Sequence, residues 1–267
     1  MRGARYESAE ITDVGWFVAD PEWVLEQKLD GMRCLATVDA DGMTTFTSHT
    51  GEPLKSGTKH FAAIAAVISA LRGVTLDGEL LEGGAYWVFD ILVAAGTDVR
   101  DLPLATRRSM LETVAPAFAG PVALVPQART MAAKAELWER IVAAGAEGAV
   151  AKRTTAGYAT GKTRTRDILK LKQTRTLDCV VVEVGRKGHE SARLGLYRDG
   201  ELVEIGACSL IGKPKVQAGD VIEVTALGFS VNALVQARLM RTRPDKTAAE
   251  CGWDQLDNCR MDKRVLA

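Results

Sequence analysis

The spacing of hydrophobic and polar residues predicts the elements of this chain before any chemistry is considered. Cys34 to Val38 is a short apolar run of strand character. Asp39-Ala40-Asp41-Gly42 supplies hairpin turn chemistry, and Met43 to Ser48 returns. From Phe61 to Leu71 the apolar residues fall at helical spacing, closed by Arg72-Gly73. Val74 to Leu81 and Tyr86 to Leu92 read as paired buried strands joined through Glu82-Gly83-Gly84. Thr106 is expected to cap a helix through Leu111, and Thr130 a second one that runs to Ala144 and stops at Gly145. Glu147 heads a short strand to Arg153, and a Gly/Thr-rich basic loop follows. Alternation from Ile168 to Lys172 puts Lys170 and Lys172 on one face of a strand, where they repel unless an anion or solvent lies between them. Residues 1–25, with Trp16, Phe17 and Trp23 around Asp20-Pro21, read as a loop leading into a strand.

The character changes near residues 173–176 to short β segments with frequent turns: 177–184, 193–197, 201–205 and 220–226. A five-stranded OB-like barrel of about 90 residues fits that spacing, and such barrels often bind nucleic acid. The chain has 267 residues, a length that suggests two domains, and we divide it into 1–174 and 175–267. With 47% hydrophobic and 25% charged residues it has the composition of a packed protein. The longest apolar run, 61–71, is too short to span a bilayer, and the first residues lack the apolar core of a secretory signal. A cytosolic, non-membrane protein is expected, and a monomer. The five cysteines form no Cys-x-x-Cys pair and the three histidines fall at no ligand spacing, so neither structural zinc nor a disulfide framework is expected. Net charge is zero, but Lys152, Arg153, Lys162, Arg164, Arg166, Lys170, Lys172 and Arg175 are interrupted by a single acid, Asp167. Arg238, Arg241, Arg243 and Lys246 form a second basic cluster. Such clusters are either solvated faces or a phosphate-binding surface.

The chemistry concentrates in Glu26-Gln27-Lys28-Leu29-Asp30-Gly31-Met32-Arg33. Its core, Lys-x-Asp-Gly-x-Arg, joins a candidate nucleophile to a carboxylate, a glycine that permits close approach, and a fixed cation. An amine of this kind can attack the α-phosphate of a nucleotide. A free lysine titrates near ~10.4, so exposing its lone pair at pH 7 costs ~4.6 kcal/mol at ~1.36 kcal/mol per pKa unit. Desolvation, or cations crowded around Lys28, removes much of that cost. Glu79 and Asp90 end the paired strands, where a carboxylate either reaches solvent or needs a buried partner.

Taken in order, these segments resemble the covalent nucleotidyltransferases, and among them the minimal ATP-dependent DNA ligases. Lys28-Leu29-Asp30-Gly31-Met32-Arg33 is similar to motif I, Leu76-Asp77-Gly78-Glu79-Leu80 to motif III, and Tyr86-Trp87-Val88-Phe89-Asp90-Ile91 to motif IIIa. Glu147-Gly148-Ala149-Val150-Ala151-Lys152 resembles motif IV, Leu169-Lys170-Leu171-Lys172 motif V, and Arg241-Thr242-Arg243-Pro244-Asp245-Lys246 motif VI. The resemblance implies an α+β fold: an adenylyltransferase (ATP-grasp-like) catalytic domain followed by an OB-fold barrel. It implies ATP and Mg²⁺ (or Mn²⁺) as cofactors, nicked duplex DNA as partner, and sealing of 3′-hydroxyl/5′-phosphate nicks in repair or replication.

The resemblance also implies a role for each matching residue. Lys28 is the nucleophile that becomes Lys-AMP, and with Asp30, Lys170 and Lys172 it makes up the catalytic set. Glu26 lines the adenine pocket, Arg33 and Glu79 bind the ribose, and Phe89 stacks on the purine. Glu147, with Glu79, holds the divalent metal, and Lys170 and Lys172 contact the α-phosphate. Arg243, Asp245 and Lys246 orient the pyrophosphate. One departure stands out: where such ligases carry Ser-Arg to grip the 5′-phosphate, this chain has Ser48-His49. Either a protonated His49 serves there, or Arg72 or Lys55 takes over, or end-sealing is weakened. Two other readings remain: an RNA ligase or GTP-dependent mRNA capping guanylyltransferase of the same superfamily, and a catalytically inactive nucleic-acid-binding module.

Overall fold

The computed structural model describes residues 5–9, 14–159, 164–185, 189–230, 232–257, 259 and 265–266. Lys162 of the first basic cluster lies outside them. The chain forms two compact units, one from Met1–Ile141, Gly148–Leu171 and Val265–Ala267, the other from Val142–Glu147 and Lys172–Arg264.

The first unit is built from β1 (Arg5–Ala9), α1 (Val14–Ala19), β2 (Trp23–Gln27), β3 (Met32–Val38), β4 (Thr44–Thr47), α2 (Phe61–Ile68) and β5 (Val74–Leu80). It continues with β6 (Tyr86–Ala94), β7 (Thr97–Asp98), α3 (Leu104–Val114), β8 (Val122–Leu124), α4 (Met131–Ala144), β9 (Gly148–Arg153) and β10 (Arg164–Lys172). One sheet has the order β1-β10-β9-β2; the other runs β4-β3-β5-β6-β7, with β8 beside β6. Where the sequence pattern suggested a loop, β1 pairs in parallel with β10 and α1 precedes β2. Both depend on distant partners that a local pattern does not contain. Trp16, Phe17 and Trp23 pack edge-on, and the buried Lys134 of α4 donates to the carbonyls of Phe17 (2.9 Å), Asp20 (2.7 Å) and Trp23 (3.0 Å). That ammonium replaces the missing hydrogen-bond partners where the chain leaves α1 for β2.

Thr130 caps α4 as expected, accepting from the Ala133 amide at 3.2 Å. Thr106 does not cap α3, which starts two residues earlier behind Pro103. There the amides of Leu104 and Ala105 donate to the carbonyls of Ala156 and Thr154, so a neighbouring loop supplies the cap. The helix expected to reach Leu71 ends at Ile68, and the chain then turns at Gly73 with φ 71°. A β-bulge matters most for the site. Across β5 and β6, Gly78 pairs with Val88 and Asp77 with Asp90, leaving Phe89 as the extra residue. The core-facing side chains change parity there, from Tyr86 and Val88 to Ile91, and Phe89 is directed away from that core.

The second unit holds β11 (Arg175–Val184), β12 (Ser191–Arg198), β13 (Glu201–Ser209), β14 (Val221–Ala226), the small hairpin β15 (Gly228–Ser230) and β16 (Ala233–Val235), and β17 (Arg238–Thr242). Five of these strands close into a barrel in the order β11-β12-β13-β17-β14, the expected OB-type architecture. The closing strand β17 falls on the second basic cluster, which the pattern had not marked as a strand. Of its five residues only Leu239 is buried, so the apolar signal was a single residue. Cys251 and Cys259 of the tail are buried in the barrel core, and Trp253 packs against Phe229 with ring centroids 6.0 Å apart. Burial pushes the Cys251 thiol up to about 11 and that of Cys34, in the first unit, up to about 12, which keeps both protonated and inert.

The Lys134 ammonium gives a direct test of the fold. Lys134→Met takes one donor from each of three carbonyls, of which that of Asp20 keeps the Trp23 amide, and is expected to cost ~1–3 kcal/mol of stability. A lowered urea midpoint with an unchanged slope is the predicted readout, and an unchanged midpoint would contradict it.

Candidate active site

The strands of the first unit enclose a cavity of about 470 Å³ lined by Lys28, Arg33, Glu79, Phe89 and Lys170, with Glu26, His49 and Lys152 at its walls. The volume lies in the range of small-ligand pockets. Each side chain arrives for a local reason. Glu26 is the penultimate residue of β2, and the Lys28 amide donates to the Gly148 carbonyl at 2.8 Å, which ties the turn after β2 to the head of β9. Gly31 is held so close to β5 that a Cβ would stand 2.6 Å from the Leu80 carbonyl oxygen, so no larger residue fits without a shift. Opposite it, Arg33 and Glu79 are cross-strand neighbours on β3 and β5.

Arg33 does not extend alone into the cavity. Its Nε and Nη2 donate to Asp77 at 3.0 and 2.5 Å, and its guanidinium lies 5.5 Å from the Phe89 ring. Asp77 is fully buried, so this bidentate pair fixes the guanidinium where it borders the cavity. Asp90 is likewise buried, not solvated, and accepts from Nε and Nη2 of Arg107, both at 2.9 Å. Glu26 is 2% exposed and is satisfied by Lys152 Nζ at 2.5 Å and Gln127 Nε2 at 2.9 Å. Lys152 Nζ also stands 4.5 Å from the Phe89 ring centroid, so one cation serves the carboxylate and the aromatic face.

The surroundings of Glu79 work against its charge. Burial pushes it up to about 7, with Asp77 adding to the rise, while Lys28, Arg33 and a hydrogen bond from the Gly31 amide pull it back. The described residues hold no group of three or more His, Cys, Asp or Glu able to enclose a metal ion. Mg²⁺ does not need one, since it is commonly held by one or two carboxylates plus substrate phosphates. Glu79 fits that donor set.

The remaining expected residues are distributed as follows. Asp30 is exposed and does not line the cavity. Glu147, 6% exposed, and Lys172 stand 3.9 Å apart and belong to the second unit, where Lys172 also donates to Gln236 at 2.8 Å. Lys170 lines the cavity of the first unit. On the barrel, Arg243 donates to Asp178 (2.8 Å) and Asp245 (2.8 Å), and Lys246 donates to Asp178 (2.5 Å). The guanidinium of Arg243 holds Asp245 down at about 2. His49 borders the cavity, whereas Arg72 is exposed and donates to the Ala40 carbonyl at 3.5 Å. Sequence reasoning gave no site role to Gln127, Arg107 or Tyr158: Arg107 was read only as part of a helix, and Gln127 and Tyr158 lie in segments without periodic or motif signal.

A cavity of small-ligand size in an α+β unit with two sheets, followed in sequence by a closed five-stranded barrel, defines the fold class: an α+β domain joined to an OB-type barrel. Residues 84–172 match the family described as ATP dependent DNA ligase domain. The chain is 30% identical over 316 residues to a probable DNA ligase of Rhodococcus jostii (strain RHA1), an alignment that covers 94% of this chain and 61% of that protein. It is 28% identical over 222 residues to a probable DNA ligase of Saccharopolyspora erythraea, covering 73% of this chain and 41% of that protein. The chain thus spans between about two fifths and three fifths of these relatives' length. Among solved structures, the fold matches the ligase domain of M. tuberculosis LigD with a TM-score of 0.56 at 21% identity, covering 93% of this chain and 97% of that one. A Lig E DNA ligase, described as binding DNA with a minimal scaffold, matches with a TM-score of 0.61 at 18% identity, covering 91% of this chain and all of the other. The resemblance to the minimal ATP-dependent DNA ligases, read from six ordered motifs, is borne out.

Glu79 carries a pH signature. Its folded value lies above the ordinary carboxylate value, so the folded protein keeps a proton that the unfolded chain gives up. The stability this contributes is complete below about 4.5 and is lost as pH rises through about 7. Glu79→Gln is therefore expected to be more stable than the parent at pH 8, by ~1–3 kcal/mol, and nearly equal to it at pH 5. Thermal melts at both pH values check this; a difference that does not grow with pH would contradict it.

Proposed function

We propose that this chain is an ATP-dependent DNA ligase that seals nicks in duplex DNA through a covalent Lys-AMP intermediate. The observation that carries the reading is that Lys28 shares one cavity with Arg33, Glu79, Phe89, Lys152 and Lys170, contributed by motifs far apart in sequence. We assign residues 1–174 to the nucleotidyltransferase domain and 175–267 to the OB domain.

In the first step the Lys28 amine attacks the α-phosphorus of ATP; a P–N bond forms, the bond to the bridging oxygen breaks, and pyrophosphate leaves. Phe89 offers a π face to the purine and Glu26 borders the base. Arg33 and Glu79 contact the ribose. Lys170, with Lys172, spreads negative charge off the transferring phosphorus. Glu79 and Glu147 are the candidate holders of a divalent ion, Mg²⁺ or Mn²⁺, which when bound would neutralise phosphate charge. Asp30 completes the catalytic set from the exposed turn. Arg243, Asp245 and Lys246 orient the pyrophosphate, which requires Arg243 and Lys246 to exchange Asp178 for phosphate oxygens. AMP then passes to the 5′-phosphate of a nick, and the adjacent 3′-hydroxyl displaces it. We expect a monomer acting in the cytoplasm.

The test is a sealing assay on duplex DNA with one 5′-labelled nick, given ATP and Mg²⁺. Ligated product from the wild type, none from Lys28→Ala, and binding that weakens steeply between low and moderate salt are the expected results. Failure to seal DNA or RNA nicks by a protein that binds nicked duplex would move the chain to the non-catalytic binding class.

A further inference from the structure

The described structure contains one hydroxyl that contacts both members of the buried ion pair beside the cavity. Tyr158 lies in the loop between β9 and β10 and is 5% exposed. Its hydroxyl donates to Asp77 Oδ2 at 2.6 Å and accepts from Arg33 Nη2 at 3.0 Å. Arg33, Asp77 and Tyr158 therefore close a three-membered ring of charge-assisted hydrogen bonds in which only Arg33 borders the cavity.

The loop that carries Tyr158 is itself fixed. The Tyr158 amide donates to the Arg100 carbonyl at 2.7 Å. Its ring packs with Leu35 and Leu92 and lies 5.7 Å from the Arg107 guanidinium. Arg107, locked on Asp90, also donates to the carbonyls of Leu102 and Ala156, the latter two residues before the tyrosine. A rigid helix–loop connection thus ends on a hydroxyl whose proton goes to Asp77 and whose lone pair faces Arg33. Without that hydroxyl Asp77 keeps a bidentate partner, so the fold does not depend on it. What is lost is the third point fixing the plane of the guanidinium.

We propose that Tyr158 is a positioning residue for nucleotide binding, acting through Arg33: its hydroxyl fixes the orientation in which the Arg33 guanidinium meets the nucleotide. The inference rests on the nucleotidyltransferase reading above. It competes with a purely structural role, in which the hydroxyl only satisfies the buried Asp77 carboxylate. The two differ in what they change. A structural role lowers the unfolding temperature and leaves the ATP dependence of self-adenylation alone. A positioning role raises KM for ATP while the rate at saturation holds, because Arg33 touches the nucleotide and not the reacting phosphorus.

The experiment measures self-adenylation against ATP concentration for the wild type, Tyr158→Phe, Arg33→Lys and the double variant, with thermal melts alongside. For Tyr158→Phe we expect KM for ATP to rise about tenfold with the saturating rate within about twofold, and in the Arg33→Lys background we expect the further change in KM to be under about twofold. An unchanged KM in folded Tyr158→Phe, a fall confined to the saturating rate, or an equal rise in KM without Arg33 would each overturn the inference. Should Tyr158→Phe melt below the assay temperature, Tyr158→His, which keeps a ring and a polar edge, is judged by the same criteria. A wild-type chain that forms no adduct overturns the nucleotidyltransferase reading and this inference with it, an outcome distinct from an active wild type with an indifferent Tyr158→Phe.

Discussion

The candidate site depends on two carboxylates placed where carboxylates are expensive. Asp77 and Asp90 face each other across β5 and β6, both buried, and each is neutralised by a bidentate arginine. Removing one partner from such a pair costs ~3–5 kcal/mol, because the other charge is then stranded in a poor solvent. The sheet therefore tolerates these acids only with Arg33 and Arg107 in place, and that requirement fixes both guanidinium groups. Arg107 anchors α3 and the loop after β9, while Arg33 forms part of the cavity wall. Neighbouring Glu79 shows the remaining cost: burial pushes it up to about 7, even with Lys28, Arg33 and the Gly31 amide pulling it back.

The bulge at Phe89 makes this arrangement compatible with an aromatic platform. In a regular strand Asp90 and Phe89 would face opposite sides; the extra residue lets Asp90 pair opposite Asp77 while Phe89 reaches the cavity. Lys152, held by Glu26, then lies over the Phe89 ring. The barrel follows a similar economy. Its cations Arg243 and Lys246 converge on Asp178, which is 9% exposed and also accepts at its backbone carbonyl from Gln255. The barrel thus carries a charge-balanced cluster whose cations have a carboxylate partner in the absence of phosphate.

Much of this was legible in the sequence because the motifs concentrate unusual residue types at short spacing. Glu26, Lys28, Arg33, Glu79, Phe89 and Lys170 were all singled out in the sequence, Phe89 through the family resemblance alone, and all line one cavity. What escaped depended on distance. β1 exists through β10, α3 takes its cap from a loop some fifty residues later, and β17 has one buried residue to announce it. Tyr158 and Gln127 sit in stretches without period or motif, and only the fold shows that they touch Asp77 and Glu26. The alternation of Lys170 and Lys172 placed them on one face of a strand, and their shared role came from the family resemblance; alternation does not show what borders each, and Lys172 stands beside Glu147 and Gln236 within the second unit.

The proposed chemistry stands or falls with Lys28 as the acceptor of a nucleotide. The most direct measurement is the intact mass of freshly prepared protein after incubation with divalent cation and ATP, GTP or NAD⁺ in turn, with pyrophosphatase present. One added adenylyl group from ATP is expected on the wild type and none on Lys28→Ala. A guanylyl adduct would redirect the assignment to capping chemistry, and no adduct from any nucleotide, on protein shown not to be adenylated beforehand, would contradict the account.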